Sequence, residues 1–98
     1  VVVGVLKLTF SIPHASSLKE KRSVVRSLVE RARNRFNASV AEVDAQDLLQ
    51  RAVIGVSVVA NDGRFVNSVL DEIRAAMESD ALGRAELLDG ELELMHCG

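Results

Sequence analysis

The sequence predicts an α+β sandwich in which a four-stranded antiparallel sheet carries two helices on one face. Three observations lead there. Runs rich in β-branched residues alternate with period two at the start of the chain, at residues 52–60 and near its end. Two longer segments, opening at Leu18 and after Asn61-Asp62-Gly63, repeat their apolar residues at helical spacing. The order is strand-helix-strand-strand-helix-strand, and two right-handed crossovers that each skip a strand arrange the sheet 4-1-3-2. This is the ferredoxin-like βαββαβ sandwich, and 98 residues suit one such domain spanning 1–98.

Each element has a local cause. From Val1 to Ile12, Val2, Leu6, Leu8, Phe10 and Ile12 share one side; Val1, Val3, Val5, Lys7, Thr9 and Ser11 share the other. Pro13 stops the strand because it lacks a ladder donor. Ser16 or Ser17 then offers an N-cap oxygen, and Glu20 completes a capping box if Ser17 is the cap. Leu18, Val25, Leu28, Val29, Ala32 and Phe36 form the apolar stripe of the first helix, with Asn37 expected to end it in the left-handed conformation.

Ala38 to Asp44 reads as a short strand whose inward face is ambiguous, since Val40 and Val43 differ in parity. Ala45 to Gln50 is a polar connection, and Ala52 to Ala60 is the third strand. The second helix is expected to bury Phe65, Val66, Val69, Leu70, Ile73 and Met77, and Gly83 breaks away from it. In the closing strand, Ala85 to Met95, Leu88, Leu92 and Leu94 face one way and Asp89, Glu91 and Glu93 the other.

Composition narrows the function classes. Trp and Tyr are absent and only three Phe occur, so the core must be aliphatic. The single cysteine, Cys97, excludes a disulfide framework and a cysteine-ligated metal site, and points to a reducing cytoplasm. The opening valines are interrupted by Lys7 and lack a basic leader, so no signal peptide is expected. No apolar run approaches the ~20 residues of a membrane span. Net charge is −2, but it is segregated. Residues 1–39 hold eight Lys/Arg against two acids, a balance of +6, and residues 40–98 hold four against twelve, a balance of −8.

Seven of the twelve basic residues lie between Lys19 and Arg35. At 100° per residue, Lys19, Arg22, Arg26 and Arg33 fall within about 60° of one another beside the apolar stripe. Such a line suits a phosphodiester backbone, because guanidinium groups pair with phosphate through parallel hydrogen bonds. It equally suits a solvated outer face, with Glu20 and Glu30 as local partners. Arg31 and Arg35 lie on the other flank, and Lys21 points closer to the stripe, where it is expected to snorkel. The expected nucleic-acid contacts are Lys19, Lys21, Arg22, Arg26 and Arg33, with Gln50 and Arg51 as secondary ones.

In a two-layer fold the far side of the sheet is uncovered. The two central strands place Val1, Val3, Val5, Val53 and Val59 there, with Gly55 and Ser57. An apolar patch so placed suits an isologous homodimer, a recessed ligand surface, or simply exposed β-branched residues.

Familiar chemistries of this architecture lack their marks. An RNA-recognition domain stacks bases on central-strand aromatics, and the only one here, Phe10, points into the core. Metallochaperones and iron–sulfur proteins need cysteines the chain does not have. An acylphosphatase needs a glycine-rich cradle with an arginine, where this chain has Ile12-Pro13-His14-Ala15-Ser16-Ser17. His14 and Ser16 stand at a helix N-terminus, an intrinsic anion site. Asp44, Asp47, Gln50 and Arg51 fit no loop ligand scheme for a hard cation and read as an Asx-capped turn or a partner-contact loop. No metal, cofactor or catalytic residue is expected.

Taken together, Val2-Val3-Gly4-Val5-Leu6, the block SLKEKRSVVRSL from Ser17 to Leu28, RFNASVAEVDAQDLLQRA from Arg35 to Ala52, Val59-Ala60-Asn61-Asp62 and Glu86-Leu87-Leu88-Asp89 resemble the YlxP-like family, domain of unknown function family 503. The resemblance implies a small cytoplasmic bacterial protein with no assigned enzyme activity. It also implies genes that lie among those for transcription elongation, translation initiation and small-subunit maturation. The matching positions are Ser17, Leu18, Lys19, Lys21, Arg22, Glu42, Asp47, Gln50 and Arg51, none with an assigned role. The functional expectation is a non-enzymatic accessory protein of translation or ribosome assembly, with ribosomal RNA or a translation factor as partner. The alternative is a homodimeric regulatory or ligand-sensing module.

Overall fold

The computed structural model describes residues 1–98. Its elements run β1 (Val2–Ser11), α1 (Leu18–Arg35), β2 (Ser39–Asp44), β3 (Arg51–Ala60), α2 (Gly63–Ala81) and β4 (Glu86–His96). All pairings are antiparallel and the sheet reads β2-β3-β1-β4, the 4-1-3-2 order seen from its other edge. The period-two signal of the opening strand becomes its burial pattern: Val2, Leu6, Leu8, Phe10 and Ile12 are all buried. They meet Val25, Leu28 and Val29 of α1 and Val66, Leu70, Ile73 and Met77 of α2 in one core.

Both helices start where side-chain oxygens replace missing backbone acceptors. Ser17 Oγ accepts from the Glu20 N–H at 3.1 Å, and Asp62 Oδ2 accepts from the Phe65 N–H at 3.2 Å. The capping box is displaced by one residue. Glu20 reaches back to the N–H of Ser16 (2.9 Å) and to its hydroxyl (3.1 Å), rather than to the N–H of the cap itself. The end of α1 also differs from expectation. Phe36 is the C-cap, leaving the helix in extended conformation with its N–H donating to Ala32 O at 2.9 Å, so Asn37 follows it as expected but is not left-handed.

Two irregularities interrupt the strand register. In β2 the register shifts between Glu42 and Asp44. Val40 lies in the core and Val43, of opposite parity, on the open face over Gly55; the shift brings Asp44 rather than Val43 opposite Val53. In β4 a shift opposite Thr9 and Phe10 leaves Leu88 unpaired. Leu87, opposite Phe10, packs on the core in its place, and Leu88 is exposed, against the parity expected for it. Phe65, expected on the buried stripe of α2, is also exposed, being in the first turn at the margin of the stripe. Gly4 sits in the core face of β1 directly beneath Val66 and Leu70, so the absence of a Cβ lets α2 rest on the sheet.

Candidate nucleic-acid interface

α1 sorts its cations by environment. Lys19, Arg22 and Arg26 are exposed and make no ion pair or side-chain hydrogen bond. Arg33 is exposed too, with its Nε donating to the Val40 carbonyl at 2.9 Å. That bond places the line on the flank of α1 next to the edge strand β2. From Lys19 to Arg33 the line is about 21 Å long at 1.5 Å per residue.

The opposite flank is neutralised. Arg31 Nη1 lies 3.8 Å from Asp80 Oδ1 in α2, a surface pair worth little by itself. Arg84, just beyond α2, donates to Ser27 Oγ at 3.0 Å and to Asp80 O at 2.8 Å. Arg35 stacks its guanidinium 5.3 Å from the centre of the Phe36 ring. The cations of α1 left without a partner are thus Lys19, Arg22 and Arg26.

Lys21 does not belong to this surface. It is fully buried, and its ammonium donates to Ala45 O (2.5 Å) and Gln46 O (3.2 Å), with Glu42 Oε2 at 3.1 Å. Glu42 Oε2 is itself buried and takes no well-aligned hydrogen bond, so its link to Lys21 is chiefly Coulombic. A charge inside a core persists only when it is compensated, and two carbonyl acceptors with the nearby Glu42 carboxylate do so here. The expectation of a phosphate contact at Lys21 is therefore corrected to a structural tie. The sequence held the signal: Lys21, Val25, Leu28 and Ala32 share one helical face, and Glu42 shares parity with Val40.

Gln50 and Arg51 are likewise separate from the basic line. The Gln50 amide nitrogen donates to Pro13 O and Ala15 O, both at 3.3 Å, and so fastens the β2–β3 connection to the β1–α1 loop. Arg51 pairs in register with Ser11 on the sheet face opposite the helices. It lies across the sheet from Lys19, Arg22 and Arg26, because residues of that parity point away from α1.

On the open face Val1 and Val59 are well exposed (69% and 65%), and Val3 and Val5 are half-buried. Val53 is only 9% exposed, although it stands outside the main core, so it is removed from the expected contact patch. Met95, opposite Val3, and the bulged Val43 add apolar surface that the sequence reading missed. Lys7 and Glu91, 3.3 Å apart, cross the middle of the face.

The helix N-terminus near His14 is already occupied by a carboxylate of the chain itself. Glu20 is held below the usual carboxylate range, first by the Ser16 backbone N–H and then by the Ser16 hydroxyl. This counters the reading of that terminus as an open anion site. His14 lines a small cavity of about 210 Å³ with Ile12, Ala15, Glu20, Val24, Gly83 and Arg84. No three His, Cys, Asp or Glu side chains come together in a metal-holding group. No helix is long and apolar enough to cross a membrane.

Fold and surface together define a small ferredoxin-like α+β domain with an unpaired cationic flank on its first helix and an uncovered sheet face. The chain belongs to the family described as protein of unknown function (DUF503), whose model matches residues 3–91. It is similar to the uncharacterized protein YlxP of Bacillus subtilis (strain 168), at 32% identity over 78 residues, covering 80% of this chain and 85% of the relative. Among solved structures it is similar to a C-terminal segment of the alpha subunit of aIF2 from Pyrococcus abyssi. There the TM-score is 0.50 at 16% identity, with 98% of this chain and 51% of that chain covered. That likeness is one of fold, and the present chain spans about half of the segment.

Proposed function

We propose that the protein is a non-enzymatic accessory factor of translation or ribosome assembly that holds RNA through the outward flank of α1. The observation that carries this reading is that Lys19, Arg22 and Arg26 are exposed and unpaired along one line, in a chain with acids enough to neutralise them. Arg33 extends the line with the part of its guanidinium that Val40 does not use. Free cations on a rigid helix match phosphates spaced along a backbone, and the gene setting implied by the family resemblance makes ribosomal RNA the first candidate.

Reversing two of these charges, Arg22→Glu with Arg26→Glu, is expected to weaken binding to small-subunit ribosomal RNA at least tenfold in fluorescence anisotropy and to abolish co-sedimentation with ribosomal subunits. Both residues are exposed and unbonded, so thermal stability should stay nearly constant. With four phosphate contacts, the log–log salt slope of the native protein should be roughly −3 on single-stranded RNA, and about half that in the variant. Binding that the reversal leaves unchanged overturns the reading.

A second reading is favoured by the sheet. Ten-residue strands rising about 3.3 Å per residue and four strands about 4.8 Å apart make a face of roughly 600 Å², near the ~800 Å² per partner of a standard interface. Face-to-face pairing of two copies would cover Val1, Val3, Val5, Val59 and Met95. Light scattering at tens of micromolar should then give twice the 10.6 kDa chain mass, and Val3→Glu should return it to monomer. A monomer in the native protein removes this reading and leaves the first intact.

A further inference from the structure

The connection between β2 and β3 is held far more firmly than a surface loop requires, and it presents two leucines to solvent. Leu48 and Leu49 are 53% and 39% exposed. The segment beneath them is tied at both ends. The buried Lys21 ammonium binds the Ala45 and Gln46 carbonyls, and Gln50 binds the β1–α1 loop through its amide. At the first of these ties Ala45 stands at φ +61°, its N–H donating to Asp44 Oδ1 at 2.7 Å and its carbonyl accepting from the Leu48 N–H at 3.0 Å. The Ile12 N–H donates to Gln50 O at 3.0 Å. A non-glycine residue in the left-handed region marks a loop whose shape is imposed by its surroundings.

From these contacts we infer that residues 45–50 form a preorganised protein-docking knob. Leu48 and Leu49 enter an apolar groove of a partner protein whose rim is basic. Ordering a loop on binding costs affinity, and this loop is ordered beforehand. Asp47 within it and Asp44 at its base set the charge of the partner's rim. The same acids, with no aromatic side chain at the tip, disfavour RNA, and they repel an anionic lipid surface. A second copy of this chain would bring the same acids to the contact, and like charges across it disfavour self-pairing. A shallow depression of about 570 Å³ bordered by Ser11, Asp47, Leu48, Leu49, Gln50 and Arg51 offers a return seat for a side chain of the partner. The surface does not depend on the α1 flank, so either reading can stand without the other.

A benzophenone amino acid placed at position 48, irradiated in cells producing the full chain, tests this. The expected result is one protein adduct of discrete mass that resists ribonuclease. Its crosslinked peptide should be apolar with Lys or Arg alongside, and its yield should fall tenfold or more with Leu49→Asp, an exposed change that should leave the fold intact. The same probe at Leu82, exposed but outside the loop, is the control and should not give that adduct. The inference is overturned if position 48 yields no adduct, or only RNA, lipid or a second copy of this chain. It is equally overturned if Leu82 gives the same product or Leu49→Asp leaves the yield unchanged.

Discussion

Replacing Lys21 by Met is expected to cost about 3 kcal/mol of folding stability, the lower end of the ~3–5 kcal/mol typical when one partner of a buried ion pair is removed. The lower end applies because the Glu42 side chain retains 19% exposure and can be partly hydrated. Met fills nearly the same volume, so the loss is electrostatic: Glu42 and the carbonyls of Ala45 and Gln46 are left without their donor. In thermal unfolding this amounts to a fall of roughly 12–24 °C for a domain of this size. Adding Glu42→Leu to Lys21→Met should restore much of it, because an apolar pair replaces an ionic one. A single variant that loses less than about 1 kcal/mol would mean the ammonium is not the tie described.

Gly4→Val gives the second large effect, and its sign separates two forces. By β-propensity alone Val should improve the strand. By packing it should fail, because a Cβ at Gly4 would lie 2.6 Å from Leu70 Cδ1 and 3.2 Å from Leu94 Cδ2, and would collide with Val66 Cγ1. The leucine ends can swing, but β-branched Val66 sits fully buried on a helix that must lift off the sheet. The expected cost is toward the upper end of the ~1–3 kcal/mol seen for overpacked cores, read as a lower urea midpoint with an unchanged slope. Gly4→Ala should follow in the same direction with a smaller loss. A stabilised Gly4→Val protein would show that α2 packs higher above β1 than described.

These two positions also show how legible the molecule was in its residues. Lys21 has a helical angle that places it among Val25, Leu28 and Ala32, yet its chemical type argues for water. Its burial becomes intelligible only with the carbonyls of a loop 24 and 25 residues away. The block around Lys21 and the segment containing Glu42 meet in the fold, since the two residues touch. Gln50 is expected as a secondary nucleic-acid contact, and its bonds to Pro13 and Ala15 reveal a clamp instead. Leu88 departs from its expected face because a single-residue bulge reverses parity and no local signal in β4 announces it, whereas Val43 keeps normal alternation and only the burial of Val40 shows which face is inward.

Alternation and helical periodicity alone determined the six elements, their order, the sheet topology and most of the core, because those patterns record which face each residue turns inward. The outward cationic line was equally readable, since Lys19, Arg22, Arg26 and Arg33 share a helical angle. Which cations remain free was decided only in three dimensions. Pairing depends on what distant segments bring within about 4 Å: Asp80 for Arg31, the Val40 carbonyl for one edge of Arg33, and Glu42 with two loop carbonyls for Lys21. Periodicity gives direction from a helix axis, whereas a partner's position is a property of the assembled fold.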